Sequence, residues 1–144
     1  MLTRVLAATV AGGIAFFILG FVIYGLVLDP MVMKPNMIEY AGLAKDPPMW
    51  APLVLANFVS AFLLAYIFDK WATISTFVGG LIGGATIWFI VSIYFQLMFA
   101  AFMNLPTNYM LSAVDVIGTT ILGAGAGGVV GLVLGMMNKG GSSA

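Results

Sequence analysis

Four long apolar runs take up most of this chain, and they constrain its fold more than any other feature. They predict four membrane spans, at about residues 5–28, 51–68, 74–103 and 111–137. Each run reaches or approaches the ~20 residues that a helix rising ~1.5 Å per residue needs to cross ~30 Å of hydrocarbon. Apolar residues make up 62% of the chain and charged residues 7%, which leaves little surface for water to solvate. We therefore expect an integral membrane protein.

The predicted fold is all-α, an integral membrane four-helix bundle that forms a single transmembrane domain over residues 1–144. Spans of a β-barrel would be runs of about ten residues with alternating polarity, and no run in this sequence alternates in that way.

The one long connection between spans is the segment 29–50. Its prolines, beginning with Pro30, break helices and therefore predict that the first span ends before them. Asn36 is followed three residues later by Glu39, which matches a capping box. The pattern predicts a short interfacial helix at 37–45; an ordered linker without a function is the alternative.

Orientation follows from the positions of the basic residues, which are retained on the cytoplasmic side. Arg4, Lys70 and Lys139 fall on one side of the predicted spans, and Lys34 and Lys45 fall on the other. The excess of one basic residue predicts that both termini are cytoplasmic in a multi-pass protein of the cell (inner) membrane.

The composition excludes several chemistries. The chain has no cysteine and no histidine, which removes disulfides, thiol nucleophiles, haem held through histidine and the usual zinc sites. Thioether sulfurs of Met31, Met33 and Met37 would hold Cu(I) only weakly without those ligands, so we expect no metal and no cofactor. Five acidic and five basic residues give no basic patch for nucleic acid. No acid–base or nucleophile–base pair stands out in the spans, and we expect no enzymatic activity.

Glycines recur at every fourth position of the last run, at Gly123, Gly127, Gly131 and Gly135. Such spacing places them on one helix face, where a second backbone can approach closely. In the third run, Gly79 and Gly83 could supply a second surface, as could Gly80 and Gly84. Two uses stay open, namely packing inside one monomer and self-association of the last helix.

Asp115 is the one acidic residue that lies well inside an apolar run. Ionisable groups within a membrane are expensive and mark functional sites. Counting by fours leads from Asp115 to Thr119 and Gly123, so the carboxylate starts the ridge that becomes the glycine ladder. The acid could carry a proton or bind a cation; alternatively, Ser112 and Asp115 form a capping box at the helix start.

Further polar groups lie within the spans at Asn57 and Gln96, in addition to Thr119. Hydrogen bonding between helices is the usual role of such residues, and the alternative is that they line a polar path.

Two stretches together resemble an uncharacterised bacterial family of small four-span membrane proteins, known only as a domain of unknown function. One is Gly20-Phe-Val-Ile-Tyr24-Gly25 at the end of the first span. The other is Asp115 followed by the glycine-rich sequence Leu122-Gly-Ala-Gly-Ala-Gly-Gly128. The resemblance covers nearly the full length, and it implies a fold and no activity.

The predicted function is helix packing, as a homo-oligomer or as an accessory subunit of a larger membrane complex. Its partners would be membrane lipids and either copies of itself or another membrane protein. The alternative is a small channel or secondary transporter in which Asp115, Thr119, Gln96 and Asn57 line a polar route.

Overall fold

The structure, a computed structural model, describes residues 2–45, 47–103 and 109–140, with side chains through residue 138. The described residues contain no β-strand and form four long helices: α1 (Leu2–Asn36), α2 (Trp50–Ala72), α3 (Phe77–Phe102) and α4 (Tyr109–Gly140). All four are long and apolar enough to cross a membrane. The prediction of an all-α four-helix bundle is confirmed.

The central pair of the bundle is α1 and α4. Helix α2 packs against α1 and touches α4 more lightly, whereas α3 packs against α4. The core lies where α1, α2 and α4 meet, and its fully buried side chains include Leu64, Phe68, Val130 and Leu134. These contacts place α3 at the edge of the bundle.

Contacts between residues near the ends of the helices fix their directions. Arg4 at the start of α1 contacts Asp69 near the end of α2 and Asn138 near the end of α4. We call this the terminal end of the bundle, and the opposite end, where α1 finishes and α4 begins, the far end. The start of α1 and the end of α4 therefore lie at the same end of the bundle. The Lys139 side chain lies outside the described residues.

Helix α1 is longer than the predicted span 5–28, because it continues through Pro30 and ends at Asn36. From Phe21 to Met33 its bonding is of the π type, and the Lys34 N–H donates to the carbonyl of Asp29, five residues back. In an α-turn a proline ring collides with the carbonyl four residues earlier. The wider bonding pattern avoids that collision, which is why the proline does not end the helix.

The short helix predicted at 37–45 is wrong. Met37 is extended, with φ −93° and ψ 145°, and the segment contains a turn in which the Leu43 N–H donates to the Tyr40 carbonyl. Asn36 belongs to the last turn of α1, where its side chain donates to the carbonyl of Val32 instead of capping a new helix. The capping pattern therefore marks the end of one helix and not the start of another.

A tight connection joins α2 to α3 at the terminal end. Helix α2 ends at Ala72, and the residue after it, Thr73, has a left-handed backbone with φ 50°. Helix α3 starts after Thr76, whose side chain accepts a hydrogen bond from the Gly79 N–H and satisfies one of the free donors of the first turn. The predicted third span began at residue 74, three residues too early.

Candidate functional site

The glycine ladder of α4 packs against α3 inside the monomer. A Cβ added at Gly127 would overlap the Gly80 carbonyl oxygen and lie 2.8 Å from the Gly84 Cα. One added at Gly131 would lie 3.0 Å from the Gly80 Cα. The obstructing atoms are backbone atoms, so the two helices approach as closely as only glycine permits.

The two ends of the ladder meet larger groups. Gly123 lies under the side chain of Trp88, and Gly135 lies against the backbone of Ser75, just before α3. Gly80 and Gly84 are thus the partners on α3. Gly79 instead meets side chains of the segment before α3, at Ile74 and Thr76. Gly83 meets the ring of Phe68 and a methyl group of Ile74. The ladder is occupied by α3, so it offers no free surface to a second copy.

The same faces of α3 and α4 remain in contact towards the far end, where polar residues replace the glycines. On α3, counting by fours from Gly84 leads to Trp88, Ser92 and Gln96; on α4, counting back from Gly123 leads to Thr119 and Asp115. Gln96 Nε2 donates to the Asp115 Oδ2 over 2.6 Å. One interface therefore has a glycine half at the terminal end and a hydrogen-bonded half at the far end.

The Asp115 carboxylate also bonds to α1. The Tyr24 hydroxyl lies 3.0 Å from Asp115 Oδ1 and 2.6 Å from the Thr119 Oγ1. Because the phenol has one proton, it can donate to the carboxylate while accepting from Thr119. Three helices thus converge on one acid, and we call Tyr24, Gln96, Asp115 and Thr119 the Asp115 cluster. All four are half-buried.

This geometry gives Asp115 more than the role of a helix cap. It is the seventh residue of α4, which starts at Tyr109, and its carboxylate accepts hydrogen bonds from side chains of two other helices. A capping carboxylate would accept from backbone N–H groups of its own first turn. The cluster fixes α1, α3 and α4 to one another, and it presents a carboxylate inside the region that four apolar helices define.

Tyr24 is the member that the sequence analysis missed as a site residue. It lies in the π-type part of α1, and such segments are frequent at functional sites. The available signal was a phenol in the middle of an apolar run, because a buried tyrosine hydroxyl usually finds a hydrogen-bond partner.

Asn57 does not join the cluster. Its side chain donates over 2.8 Å to the Leu53 carbonyl of its own helix, α2. Ser92 likewise bonds within its own helix, to the carbonyl of Phe89. The predicted polar residues therefore separate into two groups. Gln96 bonds directly to Asp115 and Thr119 joins it through Tyr24, whereas Asn57 bonds within its own helix.

A second polar cluster closes the terminal end. Arg4 Nε lies 2.6 Å from Asp69 Oδ1, and Lys70 Nζ lies 3.6 Å from Asp69 Oδ2. The Asp69 side chain is only 3% exposed, whereas that of Arg4 is 32% exposed. Arg4 also donates to Asn138 on α4, and a cavity of about 110 Å³ lies between these groups. Through these two contacts Arg4 ties α1 to Asp69 on α2 and to Asn138 on α4.

An apolar groove of about 310 Å³ lies between α1 and α4 near the Asp115 cluster. Its lining consists of aliphatic side chains and one glycine: Val22, Ile23, Val27, Leu28, Val114, Ile117, Gly118 and Ile121. Gly118 connects the groove to the cluster, because a Cβ on it would lie 3.3 Å from the Tyr24 hydroxyl.

Within the part of the chain that the structure describes, no three acidic, histidine or cysteine residues come together as a metal site. No family model, curated protein or solved structure matches the chain. The likeness to a four-span family of unknown function therefore stays a prediction.

Proposed function

We propose that this chain is a non-enzymatic membrane protein that acts by helix packing, in an assembly with copies of itself or with another membrane protein. The observation that supports this proposal is the position of α3 at the edge of the bundle. Only 6% of its most apolar stretch is buried, compared with 39% for α4. Because the rest of the bundle buries so little of α3, most of its surface is free to contact lipid or a partner.

The outer face of α3 is also rich in large side chains. Tyr94 and Phe95 contact edge to face at 5.6 Å, and Phe95 and Phe99 lie 6.3 Å apart. Aromatic groups bury large areas at interfaces and orient one another, so such a face suits a protein partner. Since the glycine ladder is occupied within the monomer, this face replaces it as the proposed assembly surface.

Native mass spectrometry of the protein, extracted gently from its own membrane, tests the proposal. We expect either copies of the chain or a stoichiometric second membrane protein. Ile90→Trp adds bulk to the outer face of α3 at a side chain that is 61% exposed, and it should lower the assembled fraction. Ile18→Trp is the matched control, because Ile18 is 55% exposed on α1. A monomer without partners under several mild conditions would exclude an assembly role.

The proposed location is the cell (inner) membrane, with both termini in the cytoplasm. Arg4 and Lys70 lie together at the terminal end, which supports assigning that end to the cytoplasmic side. Reporter fusions at the C-terminus test the orientation: a phosphatase that needs the periplasm should be inactive there, and a fluorescent protein should fluoresce.

A second candidate function is a secondary carrier for protons or cations that uses Asp115. The geometry that favours it is a carboxylate within the apolar region, held by donors from α1 and α3. A continuous channel is less favoured, because the centre of the bundle is filled by apolar groups such as Ala8, Phe16 and Val130.

Flux into proteoliposomes tests this candidate. Asp115→Asn should abolish any flux that the protein supports, because the amide carries neither a negative charge nor an exchangeable acid proton. Glu39→Gln is the control, since Glu39 is an exposed acid in the connecting segment. Flux that is equal in the two variants would exclude Asp115 as the carrier group.

A further inference from the structure

We propose that Asp115 and the apolar groove between α1 and α4 together bind a lipophilic organic cation, whose charge is held by the carboxylate and whose apolar body occupies the groove. This inference rests on the second candidate function and names its substrate class.

The charge of the ligand follows from the partners of Asp115. Its carboxylate accepts hydrogen bonds from Tyr24 and Gln96, and both donors are neutral. The ion pairs of Arg4 and Lys70 are made at the opposite end of the bundle, with Asp69. A carboxylate in an apolar region is stabilised by a cation, and its two oxygens have more acceptor positions than two hydrogen bonds use. Among the residues that the structure describes, no lysine or arginine forms an ion pair with Asp115, so a cationic group would complement the site.

The apolar character of the ligand follows from the groove. It has a volume of about 310 Å³, within the range of small-molecule sites, and its lining has no polar side chain. Several lining residues have exposed side chains, including Val22, Val27, Ile117 and Ile121. Because the groove lies within two spanning helices, a molecule dissolved in the bilayer could enter it sideways. An inorganic ion would gain nothing from this lining, whereas a hydrocarbon body would.

Gly118 brings the two parts together. It lines the groove, and a side chain there would meet Leu28 and approach the Tyr24 hydroxyl. The Leu28 side chain, which also lines the groove, fills the space beside Gly118, so it has to rotate for the head of the ligand to reach Tyr24. The ring of Tyr24 adds a face to which a cation is attracted by its quadrupole. The head of the ligand would thus meet an aromatic ring and a carboxylate, while its body stays among aliphatic groups.

Equilibrium dialysis of tetraphenylphosphonium against the full chain in lipid nanodiscs tests the site directly. We expect saturable binding that Asp115→Asn weakens by about tenfold or more, which corresponds to ~1.4 kcal/mol. Asp115→Glu keeps the charge and should retain binding. The neutral analogue triphenylphosphine oxide should bind at least about tenfold more weakly than the cation.

Ile117→Trp fills the groove without touching the charge, and it should weaken binding of the cation. Ile82→Trp is its control on α3, where Ile82 has the same 60% exposure as Ile117. This pair keeps the test valid if Asp115→Asn fails to fold.

Equal affinity for the charged and neutral probes, or unchanged binding after Ile117→Trp, would overturn the inference and leave the groove as a place for a lipid chain. Binding that depends on Asp115 without any flux would support the site and exclude the carrier function. Proton flux that depends on Asp115 without probe binding would exclude the site and leave the carrier function standing.

Discussion

The close contact between α3 and α4 makes Gly127→Ala the most informative single substitution for the fold. An added Cβ would overlap the Gly80 carbonyl oxygen and lie 2.8 Å from the Gly84 Cα, whereas ordinary contacts are 3.4–4 Å. Both obstacles are backbone, so no side chain can rotate away. The helices must separate by about 1 Å, and a gap of that size forfeits a quarter to a half of each atom-pair attraction.

The expected cost can be worked from this displacement. An interface with on the order of 40 atom pairs, each worth ~0.1–0.2 kcal/mol, would lose about 2 kcal/mol. Alanine recovers roughly 1 kcal/mol of helix propensity over glycine. We therefore expect Gly127→Ala to lower the free energy of unfolding by about 1 kcal/mol.

Gly20→Ala is the matched control, because a Cβ on Gly20 meets nothing nearer than the Leu122 Cδ2 at 4.0 Å. That variant should gain roughly 1 kcal/mol from helix propensity, so the two variants should differ by about 2 kcal/mol. Reversible unfolding in mixed micelles with increasing SDS, followed by circular dichroism, measures the difference. Equal stability of the two variants would show that the helices do not make the backbone contact.

Three further predictions concern stability and use the same unfolding measurement. Gln96→Leu removes a donor from Asp115 and should cost about 1 kcal/mol, the size typical of hydrogen bonds between membrane helices; no cost would mean that the bond does not form. Arg4→Ala leaves the buried Asp69 with only a lysine at 3.6 Å and should cost about 2 kcal/mol, less than a fully buried pair because Arg4 is about a third exposed. Thr73→Gly should raise the free energy of unfolding by about 1 kcal/mol, because glycine adopts the left-handed backbone at φ 50° without strain. A loss of stability would show that Thr73 is not strained in this conformation.

The sequence predicted the number and type of the helices because apolar length alone selects spanning helices. It also placed Asp115, Thr119 and the glycine ladder on one ridge, since residues spaced four apart lie on one face of a helix. This holds regardless of what packs against that face. It did not identify the opposing glycines. Gly79 and Gly80 are adjacent, so they point about 100° apart around the axis of α3. Each is followed four residues later by another glycine, so the spacing alone does not distinguish the two pairs. Only the packing of α3 against α4 selects Gly80 and Gly84.

The errors near the far end have a related cause. Rules for regular α-helices end the first helix at Pro30, and they make Asn36 and Glu39 the start of a new helix. The π-type bonding of α1 lies outside those rules, and it extends the helix by two turns. The same segment carries Tyr24, whose contact with Asp115 joins residues 91 positions apart. Local patterns contain no information on such a pair.

The two halves of the α3–α4 interface connect the assembly surface to the Asp115 cluster. The glycine half permits the helices to approach, but smooth glycine faces can slide along each other. The hydrogen bond from Gln96 to Asp115 opposes sliding, because a shift by one turn of about 5.4 Å would break it. A cation that bound Asp115 and displaced Gln96 would remove this restraint and leave α3 held mainly by its glycines. The outer face of α3 would then respond to binding, so a ligand that lowers the assembled fraction in native mass spectrometry, and does so less in Gln96→Leu, would show that the two proposed sites are coupled.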